Sequence, residues 1–237
     1  MANLTAFDLL DACREPDCPV CRLEQKTVER YLDNQFYENV NSPDLREWLR
    51  NSLGFCHEHA WLAIDKRLGD ALGFAIIYND IVLTTLKRLD EDTPTAALGR
   101  WARMLNGVPE QISALVQKAL YVFTPRKHCP ACHQRDEMTK IFISTLVDEL
   151  GKDEMAGALR ASDGLCLPHL KQALQKVKSA QSYETLLTIH RQKLESLQAE
   201  LAEFLRKNDY RFMSEGFGRE GNSWLRAVAM MIGSRRK

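Results

Sequence analysis

The chain spells CPVC at Cys18–Cys21 and CPAC at Cys129–Cys132, and each pair has a distant companion. Cys56 stands 35 residues after Cys21, with His59 three further on; Cys166 stands 34 residues after Cys132, with His169 three further on. Recurring thiol and imidazole donors constrain a fold more than any hydrophobic pattern does, because ligands of one ion must meet whatever the chain between them prefers.

The flanks of the second pairs repeat too. LRNSLGFCHEH at Leu49–His59 matches LRASDGLCLPH at Leu159–His169 at a constant offset of 110, keeping Leu, Arg, Ser, Gly, Cys and His. This is the mark of an internal duplication. Pro19 and Pro130 suit the first position of a helix, so Cys18 and Cys129 fall at N-caps with Cys21 and Cys132 one turn in, on the same face. A thiol there lies near unsatisfied amides and the positive end of the helix dipole, which favours the metal-binding thiolate. Gly54 and Gly164 can take positive φ and turn one helix tightly into the next. The simplest expectation is one Cys3His site per copy: Cys18, Cys21, Cys56 and His59 in the first, Cys129, Cys132, Cys166 and His169 in the second. With four protein ligands such sites are structural and close around Zn²⁺.

Apolar residues recur with helical period almost throughout, over 19–40, 43–53, 57–68, 70–89, 96–105, 109–123, 130–150, 152–161, 166–177, 181–207 and 224–232, and no alternating β-branched runs build a sheet. The expected class is all-α: two duplicated metal-stapled modules packed as a helical bundle, with a short C-terminal helix. The acidic, proline-containing LDEDTPT and the glycines of EGFGREGNS divide the chain into a first module at 1–92, connecting helices at 93–124, a second module at 125–208 and a Gly-rich segment with a final helix at 209–237. The 237 residues hold 32 Lys plus Arg against 32 Asp plus Glu, so no overall field attracts nucleic acid or anionic membrane. The N-terminus lacks the pattern of a signal peptide, and no stretch is long and uncharged enough to span a bilayer. A cytoplasmic setting follows, where seven cysteines point to metal or thiol chemistry rather than to disulfides.

Alternatives remain at this level. Thiolates with one histidine also hold iron–sulfur clusters. CPVC and CPAC resemble the dithiols of thioredoxin-like enzymes, but those follow a strand in a βαβ setting, whereas helices surround these. A thiol-based redox sensor stays open, as does an enzyme with an unrecognised active site. Zinc-ribbon knuckles carry a glycine where this chain has Arg22 and His133, so neither a ribbon nor nucleic-acid binding is inferred. His57 and Glu58 in CHEH face Leu167 and Pro168 in the other copy, which assigns His57 to the surface. Cys13 reads as a core-facing helix residue, His128 and His133 as solvated neighbours of a site, and Trp48, Trp61, Trp101 and Trp224 as packing anchors. GFGREG at 216–221 lacks the Lys-Ser/Thr of a phosphate loop and reads as a flexible connection. The apolar stripe over 183–205 leaves a helix-mediated homodimer open, and an unknown protein partner is expected.

The duplicated CPxC and GxCxxH pairs, with the closing RFMSEGFGREGNSWLRAVAMMIG, make the chain resemble a bacterial family of helical proteins, the domain of unknown function 6062. Gly221, Asn222, Ser223, Trp224, Leu225, Arg226 and Ala227 occupy the family's tail motif, with Asn222 where an acidic residue is usual. The resemblance implies an intracellular bacterial setting and no particular mechanism.

Overall fold

The computed structural model describes residues 4–92 and 109–235, and among these every regular element is helical. In chain order they are α1 (Leu4–Cys13), α2 (Pro19–Tyr37), α3 (Pro43–Ser52), α4 (His57–Asp65), α5 (Ala71–Asp92), α6 (Pro109–Phe123), α7 (Pro130–Glu149), α8 (Asp153–Ala161), α9 (Leu167–Lys176), α10 (Ala180–Lys207) and α11 (Ser223–Ile232). Short 3-10 turns at Met213–Glu215 and Arg219–Asn222 precede α11. The expected helix over 96–105, Trp101 and the last two basic residues lie outside the described residues.

Local chemistry accounts for the ends. The Ser42 hydroxyl accepts from the Leu45 N–H and Pro43 opens α3; Ser179 likewise accepts from Ser182 N–H at the start of α10. α4 stops at Asp65, short of the expected Leu68, because Arg67 takes a left-handed φ of 56° that no helix continues.

The chain forms two compact units: residues 1–27 with 135–237, and residues 28–134. This division differs from the four segments expected from sequence. The reason is that α2 and α7 each begin at a CPxC pair in one unit and end in the other.

In the first unit Leu9 of α1, Leu146 of α7, Leu159 of α8 and Leu186 of α10 are fully buried in one cluster that also takes in Cys13, Cys18 and Cys166. Each such leucine contributes about 1.5–3 kcal/mol by leaving water. Ile189 and Leu197 of α10 join Leu186 in the buried set, so the stripe on that helix packs largely within its own unit.

In the second unit Phe36 of α2 is fully buried, its ring stacked on Phe74 with centroids 3.7 Å apart and tilted against Phe55 at 5.1 Å. Leu32, Leu49, Ala63 and Ile77 surround that aromatic group.

Two expectations need correction. Trp61 and Trp224 are half exposed and anchor no core, while Trp48 tethers a loop by donating its Nε1–H to the His128 carbonyl at 2.9 Å. The stretch at 216–221 is no loose connection. Glu220 is buried, and its carboxylate accepts from the Gly218 N–H at 2.8 Å and from Lys207 Nζ at 2.6 Å, fixing the 3-10 turn.

Candidate metal centres

All eight sequence-selected donors come together in two quartets, but the pairing is exchanged. Cys18 and Cys21 meet Cys166 and His169 in the first unit, and Cys56 and His59 meet Cys129 and Cys132 in the second. The expectation of one site per sequence repeat is therefore corrected. The 19 residues of α2, about 28 Å long at 1.5 Å per residue, begin in the first unit and end in the second, so the CPxC pair at its start and the CxxH pair that follows belong to different units.

Four similar local structures present the donors. Cys56 and Cys166 are the N-cap residues of α4 and α9, with φ −64° in both and ψ 164° and 158°. Neither side chain caps its helix, which leaves each sulfur free to turn toward the quartet. The first helical hydrogen bonds, from the N–H of Arg22, Ala60, His133 and Leu170 to the carbonyls of Cys18, Cys56, Cys129 and Cys166, fix the cysteine backbones. Gly54 and Gly164, at φ 97° and 83°, make the turn into the CxxH helices, and the buried Ser52 and Ser162 brace both turns through hydroxyl bonds to neighbouring backbone.

In centre one, His169 Nδ1 lies 3.5, 3.4 and 3.2 Å from the sulfurs of Cys18, Cys21 and Cys166, and Cys21 Sγ lies 3.7 Å from Cys166 Sγ. In centre two, His59 Nδ1 lies 3.3, 3.5 and 3.3 Å from Cys56, Cys129 and Cys132, and Cys56 Sγ lies 3.7 Å from Cys132 Sγ. Both quartets could hold a metal ion. Ligands at about 2.3 Å for sulfur and about 2.0–2.1 Å for nitrogen, set tetrahedrally on one ion, stand about 3.8 Å apart sulfur to sulfur and about 3.5 Å apart sulfur to nitrogen. The observed separations match this on both counts.

Charge points the same way. Hydrogen bonds from Cys166 and Cys18 hold the Cys21 thiol well below its usual range, whereas burial pushes Cys18 well up. Burial opposes a charged ring at His169, yet Cys166, Cys21 and Glu24 outweigh it and push its pKa up to about 11. These shifts arise because four donors, three of them buried, crowd around one point.

Several residues that serve the centre were not picked out from sequence. His169 Nε2 lies 3.0 Å from Glu24 Oε1, and the Thr139 hydroxyl donates to the same oxygen at 2.6 Å; all three side chains are buried. A carboxylate on the far nitrogen fixes the ring's tautomer and aims Nδ1 at the sulfurs. Glu24 follows Cys21 by three residues, a spacing that could have revealed it, but Arg135 takes that place after Cys132 and hides the pattern. His190 donates from Nδ1 to the Leu186 carbonyl at 2.7 Å and accepts the Leu165 N–H on Nε2 at 2.9 Å, holding the residue before Cys166. At the chain's other end, Ser234 donates its N–H to Cys21 Sγ at 3.4 Å.

The remaining candidates fall outside the quartets. Cys13 is buried in the core as expected, its thiol pushed up to about 11 by burial. His57, His128 and His133 are exposed, and the His133 ring lies tilted at 46° against Trp48 with centroids 5.1 Å apart.

Comparison with known proteins bears out the family resemblance. Residues 1–237 match the family described as a family of unknown function, DUF6062. The chain belongs to the DUF6062 family. This DUF6062 chain is also similar to an uncharacterised 23.9 kDa protein encoded in the xynA 3' region of Caldicellulosiruptor sp. (strain Rt8B.4), 24% identical over 228 residues, which cover 95% of this chain and 100% of that protein. No solved structure matches this DUF6062 chain. Among the described residues no helix is long and apolar enough to cross a membrane.

Proposed function

We propose that both quartets hold Zn²⁺ as closed structural staples, and that the protein is a non-catalytic helical scaffold that binds a protein partner in the cytoplasm. The observation that carries this is the match of sulfur–sulfur and sulfur–nitrogen separations to a single tetrahedral ion in both units. Four protein ligands leave no coordination position for water or substrate, and His59 and His169 are buried, so the chemistry is that of a cross-link rather than of a Lewis acid. A cluster of several irons spreads its ligands over separate metal atoms. Ligand atoms all within 4.8 Å of one another favour one ion instead.

The surroundings of centre one fit the same ion. Three thiolates and a neutral imidazole around a divalent cation carry a net charge of about −1. A cavity of about 340 Å³ has Cys18 and Cys166 in its wall, together with Arg160, Lys193, Arg219 and Arg226 against Asp17, Asp163 and Glu200, a surplus of one positive charge that offsets the site.

Metal analysis of protein purified without a metal-affinity tag tests the assignment. The expected result is a colourless protein with two zinc ions per chain that loses thermal stability when a strong chelator removes them. A brown protein containing iron and acid-labile sulfide sinks the zinc assignment in favour of a cluster, and a metal-free protein of unchanged stability sinks both.

A further inference from the structure

We propose that the peptide Gly233–Ser234, at the exit of α11, is a seal on centre one that controls exchange of its ion, while centre two exchanges independently. The proposal rests on the metal assignment above and goes beyond it by naming a third chain segment that governs one centre only.

Two hydrogen bonds and one close approach of the backbone place the seal. Ser234 donates its N–H to Cys21 Sγ at 3.4 Å, and its hydroxyl accepts the Cys18 N–H at 3.4 Å. Gly233 ends α11 with φ 100°, a conformation that side-chain-bearing residues rarely adopt, and a Cβ built on it would stand 3.5 Å from Cys21 Sγ and 4.0 Å from Cys166 Sγ. The tail therefore bonds to both cysteines of the CPVC turn, and its backbone at Gly233 runs close by Cys166 as well.

It also lies where the centre is least covered. Cys21 is the one ligand of centre one that is not buried, and it is the ligand that receives the Ser234 N–H. An amide hydrogen on a thiolate draws off charge and holds the sulfur in place, and partners of this kind tune metal affinity about 10- to 100-fold. The segment that carries the seal is held lightly. Trp224, Leu225, Val228, Met231 and Ile232 of α11 are half exposed or more, so α11 can part from the first unit at lower cost than the core helices.

Pulsed alkylation of the zinc-loaded full-length chain, read cysteine by cysteine by mass spectrometry, tests the seal. Release of zinc to a colorimetric chelator is followed in parallel. Ser234→Pro removes both the N–H and the hydroxyl; Gly233→Val forces the tail away by backbone strain and guards against a misleading result from proline. Expected in both variants are about 10- to 100-fold faster alkylation of Cys18, Cys21 and Cys166, wild-type rates at Cys56, Cys129 and Cys132, and one fast and one slow zinc ion per chain. Wild-type rates at all six cysteines in both variants overturn the seal. Equal acceleration at both centres also overturns it, since the tail would then support the fold at large. A wild-type chain whose six cysteines react freely and which yields no zinc refutes the metal assignment itself, and the seal with it.

Discussion

Glu24 and His169 meet at 3.0 Å, a buried carboxylate behind the ring whose other nitrogen faces three sulfurs. Replacing the carboxylate removes the group that fixes the ring's tautomer and strengthens its donor nitrogen. Glu24→Ala is expected to weaken zinc binding at centre one about 10- to 100-fold. Centre two should keep its wild-type affinity, because Glu24 lies in the other unit. Competition with a graded series of chelators measures both affinities, and an unchanged centre one shows that Glu24 has no part in it.

The exchanged pairing predicts which double substitutions are redundant. Cys21→Ser and Cys166→Ser strike the same ion, so the double variant should be little less stable than either single one. Cys21→Ser and Cys56→Ser strike different ions, and their effects should add to within about 0.5 kcal/mol, with both zinc ions lost. Structural zinc binding is worth roughly 10 kcal/mol or more, so denaturant melts and metal content resolve the two cases easily. Additivity in the first pair and redundancy in the second would restore the one-site-per-repeat arrangement. Cys13→Ala should leave two ions in place.

Acid sensitivity should trace in part to His190. Burial holds its pKa below the usual 6.5, with nearby Lys193 acting in the same direction. The sign follows from proton uptake: below pH 6.5 the unfolded chain binds a proton that the folded imidazole refuses, so stability falls as the pH drops. Protonation of the ligands also releases metal in acid, so the test is a difference. Between pH 7 and 5.5, about the range in which an ordinary imidazole titrates, His190→Gln should lose less stability than the wild type. Equal losses exclude His190 as a contributor.

The aromatic centre of the second unit should be the costliest place to cut a side chain. Phe36→Ala removes a fully buried ring that contacts Phe55 and Phe74, and is expected to destabilise the protein by about 3–5 kcal/mol. Urea melts would measure this, and a loss below about 1 kcal/mol would mean that the neighbours close the gap.

Helical period, the repeated CPxC and CxxH pairs and the positive-φ glycines were legible in the sequence because each depends on neighbours within a few residues. Pairing was not. Equal spacing in two copies fits exchanged and unexchanged quartets alike, and only the folded chain, with α2 and α7 each passing from one unit to the other, separates them. Glu24 and Ser234 were hidden for a related reason: they meet His169 and Cys21 across 145 and 213 residues, distances at which no local periodicity speaks. Trp61 and Trp224 misled because size alone suggests an interior place that the fold does not give them.

The exchanged quartets also order the chain in time. Cys56 and Cys132 are 76 residues apart, and both lie inside the 145-residue span between Cys21 and Cys166, so one loop is nested within the other. During synthesis the inner centre can close while the outer one still lacks two of its four ligands, Cys166 and His169. Cys18 and Cys21 must wait with bare sulfurs until the 145 residues that end at Cys166 have followed Cys21.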